Sequence, residues 1–479
     1  MILLLSSCDY KLSKTFDDYE SSYYTLTKSS SVSKLDGASY HSRYANLAIF
    51  SKSDEYIVYN MENNSVVKTF YGVSNVIGFT VDGTPFILVN ESAENVTKLY
   101  NESGSYIATA KGQISSVTKN LDLFVFDNTV YRVSGGSAST LGNAAFLPSI
   151  SSFNDTVDGY YFDYSASSSP AYVMIYDSNL NLTGSWQNDV FDEMSSISVL
   201  SNGNVLIQGR RDLPEDAKKY DLILEGEKYE FTSYLMKPKN GKVKKVDRDF
   251  IVLSAHYVDE DSRYNNKIKN IATILPIEDK HVTYSAAAMK MVELKDNGKI
   301  KGYLFNDLPG YNQMSTVQIS SNDRYTYKTS SGDFVIVNSK NKVIGTINGS
   351  ATVSSYSNSN FIIINNVIYD WNLNEKYDLV ENEMTVVKAM NNSLILSKDG
   401  KYYRYAGGAL EDIGATSDVT LSEDYYIVKN GTSEFNLYND LGTKIATYSS
   451  MPYYVTEYEG NYLMRVSEGG MSRYYLISK

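Results

Sequence analysis

Cysteine, histidine and tryptophan are scarce in this chain of 479 residues, which holds one, three and two of them respectively. A single cysteine excludes a disulfide framework, so the fold must be stabilised by packing alone. His41, His256 and His281 stand in no metal-ligand spacing, and no His-Glu-x-x-His run occurs, so no zinc or copper site is predicted. Phosphate-cradling glycine loops and a Gly-x-Ser-x-Gly elbow are also missing.

Positive charge is in deficit as well, with 44 Lys and Arg against 56 Asp and Glu and a net charge of -12. A nucleic-acid partner requires a basic footprint that displaces counterions, so such a partner is excluded. No stretch approaches the roughly 20 continuous apolar residues that a membrane-spanning helix needs. Tyrosine, by contrast, is abundant at 43 residues. Its ring packs well on a half-buried pleated surface, so the composition favours an all-β fold.

A short phrase recurs along the chain: an aromatic residue or valine, then Asn or Asp, then a turn. The copies are Tyr59-Asn60, Tyr100-Asn101, Tyr176-Asp177, Val337-Asn338, Tyr369-Asp370 and Tyr438-Asn439. Successive copies are 41, 76, 161, 32 and 69 residues apart, close to whole multiples of about 40. Such a period indicates one supersecondary unit copied many times, in which each copy needs its neighbours to bury an apolar face.

A second phrase, a strand followed by a polar turn, precedes the first one in several units. It reads Phe79-Thr80-Val81-Asp82-Gly83, Val199-Leu200-Ser201-Asn202-Gly203, Ile319-Ser320-Ser321-Asn322-Asp323 and Leu421-Ser422-Glu423-Asp424. Asn-Gly and Asp-Gly accept positive φ and are typical of hairpin turns. The segments Val317–Ile347 and Asp418–Tyr448 each contain four short strands separated by such turns. Four antiparallel strands in series are the blade of a β-propeller.

This layout resembles the WD40/YVTN-like and quinoprotein-like β-propeller superfamilies over nearly all of the chain beyond residue 35. The Gly-His and Trp-Asp signature of WD40 repeats is absent, so the resemblance concerns architecture. The regular units number ten or eleven if every gap is divided by about 40, whereas single rings close with 4–8 blades. Insertions in the long units within 195–306 lower the count, so one ring of seven or eight blades over residues 36–479 is predicted. Two smaller propellers are the alternative.

The first residues resemble a bacterial lipoprotein signal. Leu5, two small residues and Cys8 match the lipobox, in which the cysteine becomes the lipidated N-terminus. The resemblance implies that residues 1–7 are a truncated signal, that Cys8 carries the anchor, and that residues 8–35 are a flexible tether. It also implies an extracytoplasmic protein held to the cell membrane or outer membrane. With Cys8 lipidated, no thiol is left for catalysis. The competing interpretation is an incidental thiol after an apolar start.

Two segments share a D-x-N-x-N pattern, in which alternate oxygens can converge on calcium. They begin at Asp177 and Asp370. Both lack the glycine and distal glutamate of a calcium loop, so Asx-rich turn chemistry is preferred and no metal is predicted. The chain also lacks the tryptophan-rich motifs and the cysteine pair implied by a quinone-dependent dehydrogenase, so no cofactor is predicted.

Two segments, 210–216 and 256–263, resemble a propeller blade least. Both are charged and lie within the long units of 195–306. Loops placed by a rigid scaffold concentrate binding residues, and two loops in neighbouring blades would line one rim. The alternative is that both segments are solvated insertions. The ligand-binding candidates are Arg210, Arg211, Asp212, His256, Tyr257, Asp259, Asp261 and Arg263.

Three functions fit these observations. The first is a lipid-anchored binding or scaffold module for a protein or glycan, with exposed tyrosines as contact surfaces. The second is a propeller enzyme that acts on carbohydrate through channel carboxylates, which would have a shared perturbed pKa. The third, by analogy of fold, is a scaffold for envelope assembly. No catalytic residue is assigned.

Overall fold

The structure is a computed structural model. It describes residues 10–14, 26–246, 248–257, 270–284, 288–303, 317–320, 324–328, 333–338 and 343–349, and residues 352–478 apart from 353, 357, 359 and 372. Cys8 and the predicted signal lie outside the described residues.

Almost all regular structure is β-strand. In the first part of the chain the strands are β1 (Tyr10–Lys14), β2 (Thr27–Ser31), β3 (Ser39–Tyr44), β4 (Leu47–Lys52), β5 (Glu55–Asn60), β6 (Ser65–Tyr71), β7 (Asn75–Val81), β8 (Thr84–Glu91), β9 (Val96–Tyr100), β10 (Tyr106–Lys111), β11 (Thr118–Asn120), β12 (Leu123–Phe126), β13 (Thr129–Ser134) and β14 (Ser137–Asn143). In the middle they are β15 (Asp155–Val157), β16 (Tyr160–Ser165), β17 (Tyr172–Tyr176), β18 (Leu182–Gln187), β19 (Glu193–Val199), β20 (Val205–Asp212), β21 (Leu222–Leu224), β22 (Glu227–Met236), β23 (Val243–Val246), β24 (Phe250–Tyr257), β25 (Asn270–Pro276), β26 (Lys290–Leu294), β27 (Ile300–Tyr303), β28 (Val317–Ser320), β29 (Arg324–Lys328), β30 (Phe334–Asn338) and β31 (Val343–Gly349).

The last part of the chain continues the series. Its strands are β32 (Phe361–Ile364), β33 (Val367–Asp370), β34 (Glu375–Asp378), β35 (Thr385–Ala389), β36 (Leu394–Lys398), β37 (Lys401–Ala406), β38 (Ala409–Ala415), β39 (Val419–Leu421), β40 (Tyr425–Asn430), β41 (Glu434–Asn439), β42 (Lys444–Tyr448), β43 (Tyr453–Tyr458), β44 (Asn461–Glu468) and β45 (Met471–Ser478). Three short 3₁₀ helices cover Ser33–Leu35, Ala144–Phe146 and Ile150–Ser152. Within the described residues no helix has the length and apolar character needed to span a bilayer.

Within the described ranges the strands form eleven antiparallel sheets, numbered here in chain order. Sheets 1 to 3 are β3–β6, β7–β10 and β11–β14; sheets 4 to 7 are β15–β18, β19–β23, β24–β27 and β28–β31 with β1 added; sheets 8 to 11 are β32–β34, β35–β38, β39–β42 and β43–β45 with β2 added. Most are four-stranded, and consecutive strands are neighbours except in sheet 5, where β22 lies between β20 and β21. The predicted all-β propeller fold is confirmed. The segments Val317–Ile347 and Asp418–Tyr448 form sheets 7 and 10, with the four strands expected of each.

The sheets divide between two compact units. Unit 1 contains β1 and residues 152–352, and thus sheets 4 to 7; unit 2 contains residues 20–151 and 353–479, and thus the other seven sheets. Eleven sheets exceed the seven or eight blades of the single ring, and the division fits the alternative of two propeller units.

The recurring phrase marks the end of the next-to-last strand in the consecutive series that forms a sheet. Its six copies end β5, β9, β17, β30, β33 and β41. At Asn101 and Asp370 the side-chain Oδ1 accepts the backbone N–H four residues on, at 2.8 and 2.9 Å. This side chain closes the turn into the last strand of the series because it replaces a backbone acceptor. The Asp177 carboxylate does the same for Asn181 N–H at 2.9 Å, so both D-x-N-x-N segments begin with turn-closing aspartates.

Neighbouring sheets bury each other's faces. The central strands are apolar runs such as Phe361–Ile364, which is buried at every position, as expected where both faces are covered. In unit 2 apolar clusters join sheets 8, 9, 10, 11, 1, 2 and 3 in succession. The Phe50 and Tyr474 rings, 5.0 Å apart at 76°, join sheet 1 to sheet 11. In unit 1 such clusters join sheet 4 to 5 and sheet 5 to 6.

Two predicted segments have a different structure from the one expected. Thr27–Ser31 was assigned to the tether, but it pairs with β45 as the edge strand of sheet 11, and Tyr10–Lys14 pairs with β31. The long unit 195–249 extends as a ribbon of β20 and β22, with β21 added, rather than as loops. Arg210, Arg211 and Asp212 therefore belong to β20, and His256 and Tyr257 to β24.

Sheets 4 and 5 approach each other at two glycines. A Cβ on Gly184 of β18 would lie 2.5 Å from the Cα of Gly241, in the turn between β22 and β23. Because that neighbour is backbone, no side chain can rotate away. Gly302 of β27, in contrast, has no atom of the described residues within 4 Å of such a Cβ.

We expect Gly184→Ala to destabilise unit 1 by about 1–3 kcal/mol through overpacking. Gly302→Ala is the matched control and should be neutral or slightly stabilising, since glycine in a strand carries an entropic cost. The measurement is urea unfolding followed by the emission of Trp186, in a Trp371→Phe background common to all proteins. Equal unfolding midpoints for the two alanine variants would contradict the close approach of the two backbones.

Candidate functional site

The charged residues at the end of β20 pair within their own sheet. Arg210 forms an ion pair with Glu193 of β19 and lies 4.3 Å from the Tyr229 ring centroid. Arg211 meets Glu230 of β22 at 2.5 Å, and the Asp212 N–H donates to the Asp192 carboxylate at 2.8 Å. These contacts hold the ribbon together, as cross-strand pairs do in any sheet.

Tyr257 contacts a different sheet. Its hydroxyl donates to the Thr156 carbonyl at 3.0 Å and to the Asp155 carboxylate at 3.3 Å, which links β24 to β15 of sheet 4. Tyr164 donates to the same carboxylate at 3.3 Å. Burial raises the pKa of Asp155, and the two tyrosine hydrogen bonds offset part of that increase; burial beside Asp155 raises the pKa of Tyr164 to about 12. Tyr257 thus has a structural contact between sheets. The His256 side chain and Asp259, Asp261 and Arg263 lie outside the described residues.

No metal centre is present in the described part of the chain, where no three His, Cys, Asp or Glu side chains form a group that could hold an ion. His281 instead places Nδ1 2.9 Å from the Asp279 carbonyl.

A cleft of about 670 Å³ in unit 2 has the composition of a binding site, and we call it the tyrosine cleft. It lies where sheets 9, 10 and 11 present their first strands and the turns that follow them. Its lining residues are Lys388, Asn391, Thr420, Leu421, Ser422, Glu423, Asp424, Tyr425, Ile427, Met451, Pro452, Tyr453, Tyr454, Glu457, Gly460 and Tyr462. Its size is in the range of small-ligand sites, and its wall combines aromatic, apolar and charged groups.

The buried part of the tyrosine cleft is organised by Asp424, which is 2% exposed. One carboxylate oxygen accepts a hydrogen bond from Asn391 and the other accepts one from the Tyr462 hydroxyl. Burial, together with the charge and hydrogen bond of Asp424, raises the pKa of Tyr462 far above its ordinary value. Tyr462 therefore stays protonated and keeps donating, so Asp424 fixes sheet 9 and sheet 11 against its own sheet 10.

The open part of the tyrosine cleft is aromatic and acidic. Tyr453 and Tyr454, at the start of β43, are each 55% exposed. Glu423 is exposed on the turn after β39, and Glu457 is half-buried on β43. Lys388 of β35 supplies the one cation among the lining residues that the structure describes. Flat amphipathic rings beside hydrogen-bonding carboxylates are suited to a ligand with both apolar faces and hydroxyl or amide groups.

Sequence reasoning identified one wall of this cleft only as a hairpin turn. Leu421-Ser422-Glu423-Asp424 joins β39 to β40, and the other copies of that phrase likewise join the first strand of a sheet to the second. Two of the other copies end in glycine, at Gly83 and Gly203, whereas this copy carries Glu423 and Asp424. That departure from the repeat was the available signal.

A second buried carboxylate, that of Asp440, lies next to Asp424. Asp440, 1% exposed, accepts hydrogen bonds from Asn392 N–H at 2.7 Å and Asn392 Nδ2 at 3.1 Å. Its own N–H donates to the Asp424 carbonyl at 3.1 Å. Burial raises the pKa of Asp440, and the Asp424 charge raises it further, while the Asn392 hydrogen bonds act in the opposite direction.

The pKa of Asp370, in the corresponding turn of sheet 8, is lowered, whereas that of Asp440 is raised. Burial alone would raise the pKa of its carboxyl, but hydrogen bonds from Asn374 and from Lys376, 2.9 Å away, bring the pKa below its usual range. The two aspartates occupy equivalent turns and differ in the groups that face them.

Comparison with known proteins gives the following. No protein-family model and no curated protein sequence matches the chain. Among solved structures, BamB from Moraxella catarrhalis shares 9% identity over 67% of this chain and 92% of its own, with a TM-score of 0.21. Apo AztD from Citrobacter koseri shares 10% over 88% of this chain and 94% of its own, at 0.22. Hsv2 from Kluyveromyces lactis shares 11% over 67% and 94%, at 0.20.

We expect Asp370→Asn and Asp440→Asn to change the pH dependence of unit 2 in opposite senses. A lowered folded-state pKa contributes stability above the unfolded value of about 4 that is lost on acidification, so the advantage of wild type over Asp370→Asn shrinks as pH falls. A raised folded-state pKa penalises the folded state as pH rises through it, so wild type gains on Asp440→Asn as pH falls. Urea midpoints followed by Trp371 emission between pH 7 and about 3 measure both. If the midpoint difference between wild type and variant changed with pH in the same direction for both variants, the opposite pKa shifts of Asp370 and Asp440 would be contradicted.

Proposed function

We propose that this protein is a non-catalytic binding module that holds a glycan in the tyrosine cleft of unit 2. The single observation that carries the proposal is the pair of adjacent half-exposed rings, Tyr453 and Tyr454, set beside Glu423 and Glu457. Rigid tyrosines give contact area at low entropic cost and dominate many binding surfaces. A pyranose presents an apolar face to such rings and hydroxyls to such carboxylates. The alternative ligand for this surface is a protein.

The enzymatic alternative is favoured by one feature, the three carboxylates of Glu423, Asp424 and Glu457 that line the cleft. A glycosidase needs two carboxyl groups that reach the scissile bond. Asp424 is buried and both of its oxygens accept hydrogen bonds from the protein. Such a carboxylate positions neighbouring sheets rather than exchanging protons with a substrate, which leaves Glu423 and Glu457 as the carboxyl pair of the enzymatic alternative. Glu457 also accepts a hydrogen bond from the Gly460 N–H at 2.6 Å, and we therefore prefer binding. The third hypothesis, an envelope-assembly scaffold, has no observation in its favour.

We further propose that the module is extracytoplasmic and anchored through lipid on Cys8. The support is the Leu5-Ser6-Ser7-Cys8 sequence, together with the absence of any other cysteine in the chain. Two anchoring chains give stable attachment where one gives only reversible binding. β1 begins at Tyr10, so the anchor would hold the folded body close to the bilayer.

The glycan proposal is tested on an array of pyranose oligosaccharides with the full chain carrying Cys8→Ser. We expect defined glycans to bind, and the double variant Tyr453→Ala/Tyr454→Ala to lose about tenfold or more in affinity, which corresponds to about 1.4 kcal/mol. Tyr71→Ala is the control, since Tyr71 is 69% exposed on the outer strand β6 of the same unit. No bound glycan, or equal losses in variant and control, would contradict the proposal. Release of new reducing ends from a bound glycan would favour the enzyme.

The anchor is tested by metabolic labelling with an alkyne fatty acid, using a version of the chain preceded by a complete signal. Wild type should become labelled and enter the membrane fraction, and Cys8→Ala should do neither, because the acyl acceptor is gone. Ser7→Ala is the matched control and should remain labelled, since a small residue is kept there. Label that persists in Cys8→Ala would contradict lipid attachment at Cys8.

A further inference from the structure

The ribbon of sheet 5 forms a second cleft in unit 1, with a volume of about 540 Å³. We call it the basic cleft. Its lining includes Arg211, Lys218, Lys219, Tyr220, Glu230 and Lys280. It lies in a different unit from the tyrosine cleft, and no residue lines both.

The segment that carries the lysines is held in a defined shape. Lys228 of β22 donates through Nζ to the carbonyls of Glu215 at 2.7 Å and Ala217 at 2.9 Å, which ties the segment between β20 and β21 to the ribbon. The same ammonium lies 5.2 Å from the Tyr220 ring centroid. The cleft is therefore built by three contacts of one partly buried lysine rather than by an unrestrained surface loop.

The opposite wall comes from the neighbouring sheet. The Lys280 carbonyl, in the segment between β25 and β26, accepts the Ile223 N–H of β21 at 2.6 Å. The Lys280 Nζ lies 4.6 Å from the Tyr220 ring centroid. The Tyr220 ring is therefore within cation–π distance of two ammonium groups, those of Lys228 and Lys280. Backbone pairing thus fixes where the third lysine of the cleft stands.

The charges of the basic cleft are not balanced. Among the residues that the structure describes, its lining holds four cations and two carboxylates, Asp221 and Glu230. Glu230 is already engaged by Arg211 at 2.5 Å and by Lys245 at 3.7 Å. Among the ion pairs of the described residues, none involves Lys218, Lys219 or Lys280. In a chain of net charge -12, three lysines left without a carboxylate partner in one concave site create a local positive potential.

We propose that the basic cleft binds a small, multiply charged anion that bears phosphate or sulfate groups. Lysine ammonium groups are point charges that suit such oxyanions, and Arg211 adds planar N–H donors. The volume suits one charged sugar or a short phosphate chain. A bound anion would relieve the mutual repulsion of the lysines, which gives the association its driving force and its sensitivity to salt.

The test is isothermal titration of the full chain carrying Cys8→Ser, at low ionic strength, with two probes: inorganic tripolyphosphate and a multiply sulfated disaccharide. Preference between the probes distinguishes a phosphate source from a sulfated-glycan source. Lys218→Ala/Lys219→Ala and Lys280→Glu should each weaken binding by about tenfold or more. Lys239→Ala/Lys242→Ala is the matched control, because these exposed lysines lie in the turn between β22 and β23, at the other end of β22. The control should change affinity less than about twofold.

Failure of both probes to bind at low ionic strength overturns the proposal. Equal weakening in the control overturns it as well, since binding would then follow net charge and not the cleft. The Tyr453→Ala/Tyr454→Ala variant should bind the anion as wild type does, so the two proposals succeed or fail separately. Far-ultraviolet circular dichroism of each variant establishes that the sheets remain folded.

Discussion

Mutual burial of sheet faces is the constraint on which this structure depends. A strand such as Phe361–Ile364, apolar at every position, has no face that can be left to water. Sheet 9 covers one side of its sheet through Leu394, Leu396 and Tyr405. Because each sheet contributes one such interface to the next, stability is a sum of neighbour terms along the unit. The tyrosine content follows from the same constraint, since the ring fills the interface while the hydroxyl finds a partner, as Tyr474 does at the Ala38 carbonyl, 2.8 Å away.

The repeat could be predicted because its signals are local. An Asx side chain that closes a turn recurs at the same phase in several copies, and two of the hairpin turns add a Gly that accepts positive φ. Sheets 7 and 10 were therefore located strand by strand. The added strand Thr27–Ser31 could not be, because it joins sheet 11 through backbone pairing and its Thr-Lys-Ser-Ser-Ser sequence has no apolar alternation. Likewise the ribbon of β20 and β22 appears in the sequence only as an excess of charge, since exposed cross-strand ion pairs have no periodic signature.

Binding surfaces were harder to predict than the fold, for a related reason. The tyrosine cleft is assembled from three sheets, and its members lie between residues 388 and 462 without a common period. Only the register of the sheets brings Asn391, Asp424 and Tyr462 together. Of the eight residues chosen from charge alone, Arg211 lines a cleft, while Arg210 and Tyr257 have contacts that hold strands and sheets in place. Charge density in the sequence therefore identified a region and not a site.

The tyrosine cleft shows how one copy of a repeat can present side chains that the other copies lack. Where the copies agree, the turn residues satisfy the backbone and nothing remains for a ligand. Where one copy departs, as with Glu423 and Asp424 in place of a glycine turn, side chains that the fold does not require enter the surface. Asp424 also shows the limit of this freedom, since it is buried and its oxygens are used to join three sheets. Its neighbour Glu423 is exposed and has no such structural task to satisfy within the turn. The exposed residues of a departing copy are thus the ones free to meet a ligand, and the buried ones fix where those residues stand.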